Sequence, residues 1–167
     1  MAISIGLISD THGYIDERIL HHLKDCDEIW HAGDFGTMEV ADRLSALCPL
    51  RGVYGNIDDR EISAVYPEDQ IFTVEGCKVW MTHIGGYPGK YAKRVKEKIY
   101  DVKPDIFISG HSHILKAMKD KRCPQILHLN PGAAGKTGFH QIRTLMKFKL
   151  AKGYGVTDLN VVELGKK

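Results

Sequence analysis

Residues able to bind a metal ion stand directly after five apolar segments of this chain. In chain order they are Asp10, Asp34, Asn56, His83 and His111, and two histidines, His12 and His113, follow the first and the last of them by two positions. Because ligands bind beyond the carboxyl ends of the strands in open α/β sheets, we expect these side chains to converge. Residues two positions apart in an extended segment project to the same side, so each pair is expected to reach one small volume.

Seven ligands are too many for one catalytic metal ion that must keep an open position. If Asp34 bridges, two ions each receive four protein ligands, and ions about 3.5–4 Å apart can share a water for in-line attack on phosphorus. Two divalent ions carry more charge than Asp10 and Asp34 neutralise, and the surplus favours an anionic phosphate. The ligands are carboxylates, an amide and imidazoles, without a thiolate. This set suits manganese, iron, zinc, cobalt or nickel and does not choose among them.

Several residues have weaker claims to a function. His31 stands at a strand end, where it could orient a ligand, and a packed structural role is an equal alternative. His128 and His140 flank a loop over residues 130–138, and they gain interest only if that loop lies near the site. A basic run lies between Lys90 and Lys98. It is explained by a solvated helix face, with steering of a phosphate as the alternative.

The elements that must position these residues begin as alternating strands and helices. Strands are predicted over residues 3–9, 28–32, 50–54, 70–74, 78–82, 105–109, 114–119, 125–129, 143–150 and 156–164. Asp16 is predicted to cap a helix to about Lys24, Thr37 a helix over residues 38–47, and a third helix covers residues 91–101. This order predicts an α/β fold of four layers, an α-β-β-α sandwich with two packed mixed sheets, formed by one domain over residues 1–167.

Composition excludes several classes of protein. Of 167 residues, 43% are hydrophobic and 26% are charged, which is typical of a globular chain and not of a disordered or fibrous one. The net charge is only +2, so nucleic acid is a less favoured partner. No stretch approaches the ~20 apolar residues of a membrane span, and Asp10 interrupts any signal-peptide core. We therefore expect a cytoplasmic protein with no membrane partner. The four cysteines form no C-x-x-C pair, and reduced thiols are expected.

Five short motifs resemble those of the calcineurin-like metallophosphoesterase superfamily, and the resemblance covers nearly the whole chain. The motifs are Ser9-Asp10-Thr11-His12, Gly33-Asp34, Gly55-Asn56, Thr82-His83 and Gly110-His111-Ser112-His113. The small size and the segment Asn130-Pro131-Gly132 look most like the uncapped phosphodiesterase branch. The resemblance implies that one metal ion is held by Asp10, His12, Asp34 and His113, and the other by Asp34, Asn56, His83 and His111. It favours manganese, with nickel, iron, zinc or cobalt as alternatives.

The chain departs from that superfamily at Ile57. Many members carry a histidine there, which acts as general acid to the leaving group, whereas an isoleucine cannot donate a proton. General acid catalysis contributes about 10²- to 10⁴-fold, so the loss bears on poor leaving groups. Asp58 is retained and is predicted, with Asn56, to be catalytic. Arg60 and His31 are the other nearby candidates for a proton donor.

The predicted function is a metal-dependent phosphodiesterase that hydrolyses a small phosphate diester by attack of a bridging hydroxide at a two-metal site. Asn56 and the imidazoles are expected to stabilise the charged transition state. The alternative is a protein-interaction scaffold of the same fold, similar to a retromer subunit, with little or no catalysis. A nuclease is a third hypothesis. The complete ligand set favours the enzyme, while the physiological substrate and the oligomeric state are left open.

Overall fold

Two five-stranded sheets form the centre of the computed structural model, which describes residues 2–167. The first sheet consists of β1 (Ala2–Ile8), β2 (Glu28–His31), β3 (Leu50–Gly52), β11 (Ile142–Ala151) and β12 (Gly155–Lys166). Its spatial order is β12-β11-β1-β2-β3. Strands β1 to β3 are parallel, whereas β11 is antiparallel to both of its neighbours.

The second sheet is also mixed. It consists of β4 (Asp69–Val74), β5 (Cys77–Thr82), β8 (Ile106–Ile108), β9 (Lys116–Lys119) and β10 (Leu127–Asn130). Its spatial order is β4-β5-β8-β10-β9, with β5, β8 and β10 parallel and the two edge strands antiparallel. A separate two-stranded ribbon is formed by β6 (Gly86–Tyr87) and β7 (Lys90–Tyr91).

Three apolar clusters separate the layers. Helices α1 (Glu17–Leu23), α2 (Met38–Ser45) and α3 (Arg60–Val65) pack on the first sheet, and α4 (Lys93–Lys96) and α5 (Ile99–Val102) pack on the second. The central cluster lies between the sheets. In it the buried Trp30 contacts Phe72 and Phe148 edge-on, with ring centroids 5.1 and 5.7 Å away. The predicted α-β-β-α sandwich of two mixed sheets is confirmed.

Local chemistry explains some of the element ends. Asp16 caps α1 as predicted, because its Oδ1 accepts a hydrogen bond of 2.9 Å from the backbone N–H of Ile19. Thr37 precedes α2, but its side chain makes no capping hydrogen bond, and the helix ends at Ser45. Glu75 and Gly76 have φ of 49° and 77°, which is the geometry of a two-residue hairpin turn, so β5 begins at Cys77.

The predicted helix over residues 91–101 is wrong in part. Tyr91 belongs to β7, where it pairs with Gly86 of β6, and its hydroxyl donates to Asp120, 29 positions away. The remainder divides into α4 and α5, with Lys98 between them at φ −123°. Helix α3 and the ribbon β6–β7 were not predicted. Asp59 caps α3, accepting from the backbone N–H of Ile62 at 3.1 Å.

Two further findings concern the described range as a whole. Between residues 2 and 167, no helix is long and apolar enough to cross a membrane. All four cysteines are free thiols, two of them buried. The assignment of residues 1–167 to one domain stays a prediction.

Candidate metal centre

Five of the seven predicted ligands adopt the left-handed backbone conformation. Their φ values are 54° for Asp10, 48° for His12, 59° for Asp34, 71° for His111 and 61° for His113. Few residues other than glycine adopt this conformation, and each instance costs on the order of 1–3 kcal/mol that the surroundings must offset. The two pairs therefore do not lie on extended segments, as the spacing argument assumed. Their side chains converge because the loops turn sharply at each ligand.

Backbone contacts between loops hold these conformations. The N–H of Asp10 donates to the carbonyl of Gly33, and the N–H of His12 donates to that of Asp34, both at 3.0 Å. At Gly55 a Cβ would collide with the Asp34 carboxylate, so only glycine permits the approach of that loop. The strand ends and loops thus act as one rigid frame for the side chains.

One group of ligands, here called the Asp10 cluster, consists of Asp10, His12 and His113. The Oδ1 of Asp10 lies 3.2 Å from His113 Nε2 and 3.8 Å from His12 Nε2. The Asp10 side chain is fully buried. Its Oδ2 accepts hydrogen bonds from the Ser9 hydroxyl at 2.6 Å and from the N–H of His111 at 3.1 Å. These bonds fix the carboxylate with Oδ1 toward the histidines.

A second group, the Asp34 cluster, consists of Asp34, His83 and His111. Asp34 Oδ2 lies 3.2 Å from His83 Nε2, and it also lies 3.3 Å from His12 Nε2 of the Asp10 cluster. The Oδ1 of Asn56 lies 3.0 Å from both His83 Nε2 and His111 Nδ1. The structure therefore brings all seven predicted residues together, with Asp34 between the two clusters.

The donor set fits a divalent metal ion. Among residues 2–167, Asp10 Oδ1 and His12 Nε2 are buried and have no hydrogen-bond partner. Native proteins leave few buried polar atoms unpaired, and such atoms call for an explanation such as an ion. The Nδ1 of His83 donates to the carbonyl of Ala32 at 2.8 Å, which leaves the Nε2 of this ring able to bind a metal.

Both carboxylates are ionised. Burial acts to raise the pKa of Asp34, but the imidazoles of His12 and His83 beside it hold that pKa well below its usual range. The same balance holds the pKa of Asp10 low, with His113 and His12 as the main partners. The carboxylates in turn raise the pKa of His12 to about 9. The two carboxylates thus favour a positive charge beside them, which protonated imidazoles or a bound cation can supply.

Comparison with known proteins identifies the family. Residues 3–153 match the family model described as the calcineurin-like phosphoesterase superfamily domain. The chain belongs to this family. A curated relative from Methanothermobacter thermautotrophicus, described as a "Probable metallophosphoesterase", is 30% identical over 136 residues, which cover 77% of this chain and 76% of the relative.

Solved structures share the fold of this phosphoesterase domain. A protein described as a novel archaeal phosphodiesterase has a TM-score of 0.73 at 20% identity and covers 96% of this chain and 99% of its own. Wild-type Vps29 from Entamoeba histolytica, solved in complex with Zn²⁺, has a TM-score of 0.73 at 18% identity and covers 98% of this chain and 100% of its own. At these identities the likeness shows the fold alone.

Asp58 holds two loops of the phosphoesterase domain together. Its carboxylate accepts hydrogen bonds from the N–H groups of Phe35 at 3.2 Å, Gly36 at 2.8 Å and Gly55 at 2.8 Å. These bonds position the loops that carry Asp34 and Asn56. A role for Asp58 in proton transfer stays a prediction. Sequence analysis did not reveal the positioning role, because its partners lie up to 23 positions away.

His31 is a packed residue whose two ring nitrogens are both engaged. Its Nδ1 accepts from the N–H of Gly33 at 3.1 Å, so the proton sits on Nε2, which bonds the Thr11 hydroxyl at 3.0 Å. The ring stacks on Phe35 at 3.7 Å, and burial lowers the pKa of His31 to about 3. The neutral ring therefore braces the loops of the phosphoesterase domain that carry Asp10 and Asp34.

His140 lies beside the site, because the loop over residues 130–138 packs against it. Its ring contacts the ring of His113 edge-on, with centroids 5.1 Å apart, and its Nε2 donates to the carbonyl of Gly135 at 2.8 Å. His128 lies further away and lines a separate cavity next to His111. Of the two histidines that flank the loop, His140 is thus the one that lies beside the site.

Proposed function

We propose that this chain is a phosphodiesterase that works with two divalent metal ions, manganese being favoured. The observation that carries the proposal is the position of Asp34, whose Oδ2 faces His83 of one cluster and His12 of the other. The ligand sets proposed are Asp10, His12, Asp34 and His113 for one ion, and Asp34, Asn56, His83 and His111 for the other. Nickel, iron, zinc and cobalt suit the same donors.

The bound ions would supply an activated water and neutralise charge on the phosphate. The chain itself orients the reaction. The Asn56 side chain is exposed at the mouth of the site, and within residues 2–167 its amide nitrogen makes no hydrogen bond. With its oxygen directed at His83 and His111, that nitrogen is placed to donate to a phosphoryl oxygen, where charge grows in the transition state.

Preference for a diester rests on the mouth of the site. Ile57 stands where many relatives carry the general acid, and it is 45% exposed. Asn56 and His111 are exposed beside it, so the two organic groups of a diester can extend from the phosphorus into solvent. We propose a small phosphate diester as substrate, with nucleic acid less favoured. A cytoplasmic location stays a prediction.

A substrate comparison tests the proposal. Protein stripped with chelator and reloaded with Mn²⁺ is assayed on bis-p-nitrophenyl phosphate and on p-nitrophenyl phosphate, and stripped protein is the control. The expected result is metal-dependent hydrolysis with the higher kcat/KM on the diester. A higher value on the monoester would overturn the diester preference. No turnover on either ester, with Mn²⁺ bound, would overturn the proposed enzymatic activity.

One observation favours a second candidate, the interaction scaffold. Large apolar side chains are exposed on the loops around the two clusters, namely Ile57, Ile84, Ile114, Leu115 and Phe139. Exposed apolar side chains around a site are typical of a surface that binds a protein when they form one patch. The unpartnered buried atoms of Asp10 and His12 favour the enzyme, because a docking surface does not require them. Absence of turnover on both esters, with Mn²⁺ bound, would favour the scaffold.

A further inference from the structure

A cavity of about 220 Å³ opens beside His111, on the outer face of the second sheet. The side chains that give it chemical character are Ile84, Tyr87, Lys90, Ile114, Lys116 and His128. None of them belongs to the two metal-binding clusters. The cavity is smaller than the roughly 300–1,000 Å³ of sites that hold a drug-sized ligand, so it suits one part of a larger molecule.

The ribbon β6–β7 is fixed along one side of this cavity. The Ser109 hydroxyl donates to the carbonyl of Gly86 at 3.0 Å, and the N–H of Ala92 donates to the carbonyl of Gly85 at 2.9 Å. The Tyr91 hydroxyl donates to Asp120 at 2.7 Å. The first bond joins the ribbon to the end of β8, the second closes the ribbon between the residues that flank it, and the third joins it to the end of β9. The cavity is therefore preformed, and a ligand need not order it.

His128 supplies a hydrogen-bond acceptor from a largely buried ring. The residue is 1% exposed, and its Nδ1 lies 3.1 Å from the carbonyl of Phe107. A carbonyl only accepts, so Nδ1 carries the proton. Burial lowers the pKa of His128 to about 4, which keeps the ring neutral. Its Nε2 is then an acceptor, and it makes no hydrogen bond within residues 2–167.

The other walls suit a flat ring next to an anion. The partly exposed ring of Tyr87 lines the cavity, and Lys116 Nζ lies over one of its faces, 3.6 Å from the centroid. Ile84 and Ile114 are 44% and 59% exposed, which leaves apolar surface for an incoming group to cover. Lys90 is exposed and adds a second positive charge. Aromatic stacking, apolar contact and cations thus occur together beside the proposed phosphate site.

We propose that this cavity binds one organic arm of the diester, and that the arm is a nucleobase-sized ring carrying an N–H that donates to His128. This inference rests on the proposed phosphodiesterase function, because His111 lies both on the cavity wall and in the Asp34 cluster. The substrate class is accordingly a small diester derived from a nucleotide. Tyr87 and His128 determine specificity for the arm, and Lys116 holds the anionic side of the ligand.

Binding to the metal-free full chain tests the cavity without catalysis. The probe is thymidine, and the control is N3-methylthymidine, which lacks the N–H. The expected result is a saturable shift of the His128 imidazole ¹⁵N signals with thymidine and a much weaker response to the methylated probe. Lys119→Ala, on the same strand as Lys116 but lining a different cavity, is the matched control variant, and it should bind thymidine as wild type does. Equal responses to both probes, or none, would overturn the inference.

Kinetics on matched esters give the second readout. The Mn²⁺-loaded protein is assayed on p-nitrophenyl diesters that share one leaving group and carry either a methyl or a 5′-thymidyl second arm. We expect kcat/KM to favour the thymidyl ester by about tenfold or more. Tyr87→Ala should bring the ratio of the two values toward one, and His128→Phe should do the same if it folds. A ratio near one in wild type, or one unchanged in Tyr87→Ala, would overturn the subsite.

The two proposals fail differently. Hydrolysis of both esters without thymidine binding at His128 retains the phosphodiesterase and overturns the subsite. Thymidine binding at His128 without hydrolysis of either ester supports the ligand chemistry of the cavity and overturns the proposed function.

Discussion

The Asp10 and Asp34 clusters use the same residue types, but they differ in how much of their bonding capacity the protein has already satisfied. In the Asp10 cluster, Asp10 Oδ1 and His12 Nε2 are buried and unpartnered among residues 2–167. In the Asp34 cluster, Asp34 Oδ1 accepts from the N–H of Ile57 at 3.1 Å, and His111 is exposed. The first cluster therefore holds buried atoms with unused bonding capacity, whereas the second reaches the protein surface at His111.

Asp34 links the clusters, so its replacement should have the largest effect. Asp34→Asn removes charge from the oxygen that lies 3.3 Å from His12 and 3.2 Å from His83. We expect kcat/KM on the diester to fall by about 10³-fold or more at saturating Mn²⁺, with the circular dichroism spectrum retained. Asp158→Asn, at an exposed site on β12, is the matched control. Activity of Asp34→Asn within tenfold of wild type would contradict the shared ligand.

The difference between the clusters should appear as two Mn²⁺ affinities. Calorimetric titration of stripped protein is expected to show two Mn²⁺-binding steps whose affinities differ by about tenfold or more, because Asp10 Oδ1 and His12 Nε2, which are buried atoms without a partner in the described range, gain most from a cation. His113→Ala should abolish the tighter step, and His111→Ala the weaker one. His21→Ala, on the surface of α1, should leave both steps in place. Loss of the tighter step in His111→Ala would reverse the assignment.

Replacing Ile57 tests the substrate side of the Asp34 cluster. Without a proton donor the leaving oxygen departs unprotonated, so the rate should depend steeply on the pKa of the leaving group. Ile57→His places an imidazole where relatives carry their general acid. It should flatten that dependence and raise the rate on poor leaving groups by about tenfold or more. The measurement is a series of substituted phenyl diesters at fixed metal and pH.

Ile71→His is the control for Ile57→His, since Ile71 is 50% exposed on β4 and lies outside the clusters. It should keep the steep slope of wild type. A shallow slope in wild type, on chemistry-limited kcat/KM, would show that another group donates the proton. Asp58 would then be the next residue to replace.

Sequence reasoning located the ligands better than it explained them. Strand ends such as those before Asp10 and Asp34 are visible as apolar runs, and the edge at which they meet follows from sheet topology. The left-handed conformations were not visible, because they depend on contacts between loops such as Asp58 with Gly36. The ribbon β6–β7 has strands of two residues, too short to show a period, and it is held by a bond from Tyr91 to a residue 29 positions away.

Replacement of Asp120 is expected to affect the two clusters least, because this residue contributes to the stability of the fold. Its Oδ2 accepts from the hydroxyls of Tyr91 and Tyr100 at 2.7 and 2.9 Å, and its Oδ1 accepts from the N–H groups of Arg122 and Cys123 at 2.7 and 3.1 Å. An asparagine side chain accepts through its oxygen only. In Asp120→Asn the amide nitrogen, itself a donor, therefore faces two hydrogen-bond donors. We expect a loss of about 1–3 kcal/mol in the free energy of unfolding, with the two Mn²⁺ steps unchanged.

The loss from Asp120→Asn should depend on pH in a defined direction. Burial acts to raise the pKa of Asp120, but the donors around it, Tyr91 and Tyr100 first among them, hold that pKa below its unfolded value of about 3.9. The ionised carboxylate therefore stabilises the fold above that value, and this contribution is lost as the pH falls through the folded pKa. Urea unfolding at pH 7 and at pH 3 should show the gap between wild type and variant narrowing in acid. Asp101→Asn, exposed on α5, is the control. A gap that widens in acid would mean that the protonated carboxyl, and not the carboxylate, holds the ribbon in place.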